Sequence, residues 1–141
     1  MRQYDTRTGL EVLDRRACLR LLADEEVGRI GLIEGSGPLI LPTNYALDGE
    51  NIIIRTFSGT KLDMAHGSAV CFEVDHFDRQ NRSGWSVVVR GRLEVVSPHE
   101  QERWERVHDL VDPWARGDHP HVLAIVSNTI TGRKVAPRDG G

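Results

Sequence analysis

Cysteine is scarce: Cys18 and Cys71 are the only two in 141 residues. They lie too far apart for any metal-type spacing, and both are expected as buried, reduced thiols. Long apolar runs are missing as well. No stretch approaches the ~20 consecutive apolar residues of a membrane helix, and the opening MRQYDTRTGLEVLD lacks the apolar core of a signal peptide. A cytoplasmic chain is the expectation. There is no internal repeat and no low-complexity linker, so residues 1–141 read as one domain with its core over about 13–135 and mobile ends: the first ten or so residues and the tail from Ala136. No Gly-x-Ser-x-Gly elbow and no Cys–His pairing of the catalytic kind occurs. Asp75-His76-Phe77-Asp78 and His119-Pro120-His121 gather potential metal ligands without a zinc spacing, and read as surface turns. Lysine is almost absent: of 18 basic residues only Lys61 and Lys134 are lysine.

What is present is an ordinary globular balance, 39% hydrophobic and 28% charged. A net charge of −3 argues against a general attraction to nucleic acid. A domain of this length buries ~68% of its unfolded surface and needs no disulfide or metal staple.

Asp14 is a good N-cap for a first helix, with Leu13 and Cys18 placed for a hydrophobic staple and Cys18, Leu21 and Leu22 on one face. A strand follows over Gly28 to Glu34. The turn signals Gly35-Ser36-Gly37-Pro38, Asp48-Gly49 and Ser58-Gly59 then bound the β-rich runs Leu39–Leu47 and Asn51–Phe57, joined as a hairpin. A strand over Ala69 to Asp75 precedes the clearest one, Trp85 to Val96. There Trp85, Val87, Val89, Leu93 and Val95 share one face, Ser86, Arg90, Arg92 and Glu94 the other, and Gly91 suggests a bulge or bend. Ser97-Pro98-His99-Glu100 reads as a capping box opening a second helix with Trp104, Val107 and Val111 at helical spacing. A last strand runs from His121 to about Val126. Five or six strands with two or three peripheral helices read as a small β-barrel, mostly β in class.

The segment richest in chemistry is Ile52 to Leu62. A buried strand delivers Arg55 and Thr56 to its end, a glycine turn follows, and a short helix is expected near Thr60 with Asp63 completing its cap. Unpaired N–H groups at that helix start, with Arg55, Lys61 and the Thr56 and Ser58 hydroxyls, would make a phosphate site; a solvated cap with two incidental cations is the other reading. Pro42-Thr43-Asn44-Tyr45 breaks an apolar strand with polar groups. Either Asn44 faces a heteroaromatic ring edge, or this is an edge strand with a half-exposed Tyr45. Trp85 either covers a planar ring to which Ser86 bonds, or belongs to the core. Glu73 and Asp75 point the same way on one strand, as acid–base groups or as salt-bridge partners of nearby arginines.

With Val27-Gly28-Arg29, Pro42-Thr43-Asn44-Tyr45, Arg55-Thr56-Phe57-Ser58-Gly59-Thr60-Lys61, Phe72-Glu73-Val74-Asp75, Gly84-Trp85-Ser86-Val87-Val88-Val89-Arg90-Gly91 and Ile130-Thr131-Gly132-Arg133 in this order, the chain resembles the flavin-binding split-barrel superfamily. More closely it is similar to the short bacterial branch called pyridoxamine 5′-phosphate oxidase-like. The resemblance covers about Leu13 to Val135. It implies a six-stranded split barrel of the FMN-binding type that forms a homodimer with flavin at the subunit interface. It further implies that Arg55, Thr56 and Lys61 hold the cofactor phosphate, that Pro42 to Tyr45 line the flavin ring with Ser86 and Trp85 close by, and that Arg133, with Trp114, reaches it from the second subunit. The activity implied is that of an FMN-dependent oxidoreductase acting on a small planar or electron-poor substrate, nitro compounds among them, with no catalytic side chain assigned. Of the extra basic set with which pyridoxamine phosphate oxidases hold substrate phosphate, only Arg138 is available here. The alternatives are the deazaflavin coenzyme (F420), which would want a longer basic groove, and a protein that stores or senses flavin or haem without turnover.

Overall fold

A computed structural model describes residues 2–56 and 66–137. Its elements are β1 (Gln3–Tyr4), β2 (Glu11–Leu13), α1 (Arg15–Ala23), β3 (Val27–Glu34), β4 (Gly37–Asn44), β5 (Ala46–Asp48), β6 (Asn51–Thr56), β7 (His66–Asp78), β8 (Ser83–Val96), α2 (Gln101–Val107) and β9 (His121–Val135). Every strand pairing is antiparallel. The strands form one curled sheet in the order β1-β2-β9-β8-β7-β3-β4, with β6 joining β5 to β9. Strand β9 is the pivot: one edge pairs with β8 from Val122 to Val135, and the other carries β6 at its start and β2 near its end.

Local chemistry explains most boundaries. The Asp14 side chain accepts a hydrogen bond from the Ala17 N–H at 2.8 Å and starts α1 as an N-cap should. Leu13 and Cys18 meet over Gly132, where an added Cβ would lie 2.7 Å from the Cys18 sulfur and 3.2 Å from a Leu13 methyl. The turn after β5 takes a positive φ of 60° at Gly49, which suits glycine. In β8 the bulge expected at Gly91 is present. The β8–β9 register shifts between Arg90 and Gly91, and an added Cβ there would stand 2.1 Å from the Val126 carbonyl oxygen.

Two cores result. Inside the curl lie Ile30, Phe72, Val87, Val89, Leu93 and Ile125 with Cys18 and Leu22 of α1. A smaller outer cluster joins Ile53, Val96, Val122 and Ala124 to Val107 of α2 and Val111. Strand β6 lies between them, so Ile52 and Ile54 face the main core while Ile53 faces the outer one, and all three are fully buried. That covering of both faces is why the strand reads as a continuous apolar run.

Several expectations are corrected. The first ten residues include a strand that was not expected: β1 and β2 form a hairpin closed by Asp5–Leu10 and Gly9–Asp5 backbone bonds, and β2 pairs with β9. Cys18 is buried, but Cys71 is exposed because it alternates with the core residue Phe72 on β7. The Ser97–Glu100 bonds form (Ser97 N–H to Glu100 Oε2, 2.8 Å; His99 N–H to Ser97 Oγ, 3.1 Å), yet they close a turn, and α2 begins only at Gln101. Val95 shares the inner face by alternation but is 37% exposed at the open end, whereas Val96 is buried under α2. Asp75 to Asp78 continue β7 instead of forming a turn, and His119 is buried with Nδ1 3.0 Å from the Gly117 carbonyl. The last strand is a single element through Val135. The proposed helix near Thr60, Asp63, and Arg138 lie outside the described residues.

No helix among the described residues is long and apolar enough to cross a membrane.

Candidate functional site

The chain leaves the β3–β4 hairpin at Tyr45 and re-enters pairing as β5 against β6. That corner is tied down by one acceptor, the Glu26 carbonyl. It receives the Tyr45 N–H at 3.0 Å and the Asn44 side-chain amide at 3.2 Å. The Asn44 Oδ1 accepts the Trp114 N–H at 2.8 Å, which pins the segment after α2 against the corner. Tyr45 itself is buried, edge-on to Phe72 with ring centroids 5.1 Å apart, and its hydroxyl donates to the Leu22 carbonyl. Burial raises the phenol's pKa, and the charges of Glu25 and Asp24 raise it further.

On β6, Ile53 pairs with Ala46 of β5, and Arg55 follows two residues on. Arg55 shares the outer face of β6 with Ile53. Its Nη1 donates to the His108 carbonyl at 3.2 Å, and its buried Nε has no hydrogen-bond partner among the described residues. Thr56 is buried beside it, opposite His121. Pro42 is exposed and Thr43 partly so on β4, which ends the sheet order and therefore tolerates proline. Ser58 and Lys61 lie outside the described residues.

A second set stands elsewhere. Ser86 is flanked by Arg133 on β9 and Asp75 on β7. Arg133 is half-buried and donates from Nη1 to the Gly132 carbonyl at 2.9 Å. Trp85 and Ser86 do not converge on one ring, because successive side chains of a strand point to opposite faces. Trp85 packs on the main core and lines a cavity of about 380 Å³ with Leu13, Ala17, Arg20 and Lys134. Arg55 pairs with Val122 and Ser86 with Arg133, so the two sets are separated by most of β9. Trp114 is 68% exposed near the first set, held by its backbone bond to Asn44.

Between the sets, on the outer face, Arg29 Nη1 reaches Glu73 at 3.2 Å and Asp75 at 3.3 Å, which is the arginine pairing expected for that carboxylate pair. Desolvation, followed by Asp75, pushes the Glu73 carboxyl up to about 7, against the lowering effect of Arg29. The contacts that sequence reading missed, His108 O to Arg55 and Trp114 N to Asn44, are both made by backbone atoms, which leave no residue-type signal.

A family model described as pyridoxamine 5′-phosphate oxidase matches residues 14–134. The chain belongs to that family. An uncharacterized protein of Mycobacterium tuberculosis is 34% identical over 130 residues, covering 87% of this chain and 84% of its own. Among solved structures, a Corynebacterium glutamicum protein described as a candidate pyridoxamine 5′-phosphate oxidase superposes with a TM-score of 0.77 at 29% identity, over 93% of this chain and 96% of that one. An FAD binding protein of Mycobacterium smegmatis gives 0.71 at 28% identity, over 89% and 98%. The curled sheet is accordingly the split barrel of this family, its six longer strands being β3, β4, β6, β7, β8 and β9, with three short strands added.

Proposed function

We propose that this chain is a flavoprotein that holds flavin mononucleotide at the β4–β5 corner, works as a homodimer with the flavin at the subunit interface, and serves as a flavin-dependent oxidoreductase for a small planar or electron-poor substrate. The observation that carries this reading is Arg55, whose buried Nε–H lacks an acceptor among the described residues while its Nη1 is satisfied by the His108 carbonyl. A phosphate oxygen supplies the missing acceptor and a charge-assisted bond. Thr56, Ser58 and Lys61 would complete the phosphate set, and Pro42, Thr43 and Asn44 would line the ring. Tyr45 would contribute through its position in the corner, since its hydroxyl is already bonded to Leu22.

The M. smegmatis relative binds FAD. FMN and FAD share the ring, the ribityl chain and the first phosphate, so Arg55 serves the part they have in common. A bound flavin supplies two-electron hydride chemistry, and the protein supplies orientation, charge and exclusion of water. In this chain Arg55 would neutralise the phosphate, while the Asn44–Trp114 bond would hold the segment after α2 over the corner.

The dimer reading is supported by strand register. Val122, opposite Arg55, and Arg133 are separated by roughly 36 Å of strand at the usual rise per residue. Arg133 of the same subunit therefore lies towards the other end of β9 from Arg55, whereas a two-fold partner can present its own Arg133. Subunit complementation tests this. Arg55→Ala and Arg133→Ala, each expected to bind flavin poorly alone, should regain about a quarter of the wild-type flavin sites when unfolded and refolded together, because half the dimers are mixed and each mixed dimer has one intact site. Absence of recovery, with both variants folded, would refute a shared site.

A further inference from the structure

We propose that the cavity between the end of α1, the β4–β5 corner and the segment Leu110–Asp112 is a binding site for a small organic ammonium ion. The cavity measures about 350 Å³, the size range of small-molecule sites. Leu22, Ala46, Leu47, Leu110 and Val111 make its lining apolar in part, while Glu25, Glu26 and Asp112 make it acidic in part. No arginine, lysine or histidine is among the described residues that line it. A lining that joins five apolar residues to three acidic ones suits a cation carried on a hydrophobic body, and opposes an anion of the same shape.

The same acidic surroundings act on Tyr45. Tyr45 lines the cavity, and the negative charges of Glu25 and Asp24 add to burial in disfavouring its ionised form. The field that resists a phenolate there attracts an ammonium. Of the described cations, His76 stands 3.6 Å from Glu25 with its side chain mostly exposed, and Arg55 is not among the lining residues. Asn44 lines this cavity and belongs to the corner proposed to hold the flavin. A ligand here would therefore lie next to a flavin held at Arg55. Its role as a substrate rests on the flavin reading, whereas its charge preference rests on the cavity alone.

Three probes share one ring and differ in charge: benzylammonium, benzyl alcohol and benzoate. They are titrated at pH 7 into isotope-labelled full-length protein, with and without saturating FMN, and amide resonances are followed. Benzylammonium should give saturable shifts at Ala46, Leu47 and Leu110 to Asp112. Benzyl alcohol should bind at least about tenfold more weakly and benzoate not at all. The double variant Glu26→Gln with Asp112→Asn, both at exposed positions, should weaken benzylammonium by about tenfold, while Asp118→Asn should not. Equal affinity for benzoate, no saturable shift with benzylammonium, or shifts confined to other residues would overturn the proposal. FMN uptake, read from its visible absorbance in the same samples, keeps the two ideas apart. Uptake without ammonium binding sinks the cavity proposal alone. Ammonium binding without uptake sinks the flavin reading and leaves the cavity as an ammonium site.

Discussion

Replacing Glu73 by glutamine should stabilise this protein at pH 8 and leave it nearly unchanged at pH 4. The carboxyl is held at about 7 in the folded chain against an ordinary value of 4.5. Below 4.5 it is protonated whether folded or unfolded, so the stability is fully present there. Between 4.5 and 7 the unfolded chain loses the proton more readily than the folded one, and stability falls with rising pH until the folded carboxyl has also ionised. At face value the difference amounts to about 3 kcal/mol. The side chain is 33% exposed and the Arg29 pair offsets part of the penalty, so solvent screening reduces it to about 1 kcal/mol. Glutamine keeps the shape and can still accept from Arg29, but carries no charge to desolvate. Thermal unfolding at pH 4, 6 and 8 should show the variant rising above wild type only at the higher values, by about 3 °C at pH 8. A variant less stable than wild type at pH 8, or displaced equally at all three values, would refute the reasoning.

Other substitutions test the packing directly. Gly91→Ala puts a methyl 2.1 Å from the Val126 carbonyl oxygen, where backbone on both sides is paired, and should cost about 2 kcal/mol in urea unfolding. Tyr45→Phe removes the bond to the Leu22 carbonyl while keeping the edge-on contact with Phe72. It should lower stability by about 1 kcal/mol without altering the fold seen by circular dichroism. Asp14→Ala deletes the α1 cap at Ala17 and should also cost about 1 kcal/mol, with Asp14→Asn close to wild type.

Much of the fold was legible because its local rules agree with its tertiary demands. The Asp14 cap, the Asp48-Gly49 turn and the alternation through β8 as far as Leu93 are each dictated by a few neighbouring residues, and each stands in the structure. What escaped is set by distant covering. The exposure of Val95 and burial of Val96 depend on where the core ends and where α2 lands. The β1–β2 hairpin is stabilised by β9, more than a hundred residues on, and its own pattern is too short to declare itself. At the candidate site, Arg55 and the Asn44 corner were visible as residue types out of keeping with an apolar strand. Their contacts could not be read, because they are made with the Glu26, His108 and Trp114 backbones. The opposed directions of Trp85 and Ser86 follow from adjacency in one strand, and alternation alone was enough to separate them.

The most direct test of the central claim is a flavin titration followed by visible absorbance and by quenching of flavin fluorescence, with FMN and FAD in parallel. Wild type is compared with Arg55→Ala and with Arg55→Lys, which keeps the charge but not the Nε donor. The account predicts saturable uptake by wild type, loss of about a hundredfold in affinity in Arg55→Ala, and only partial rescue by Arg55→Lys. Wild-type protein that is folded yet takes up neither flavin, or an Arg55→Ala variant that binds as tightly as wild type, would contradict it.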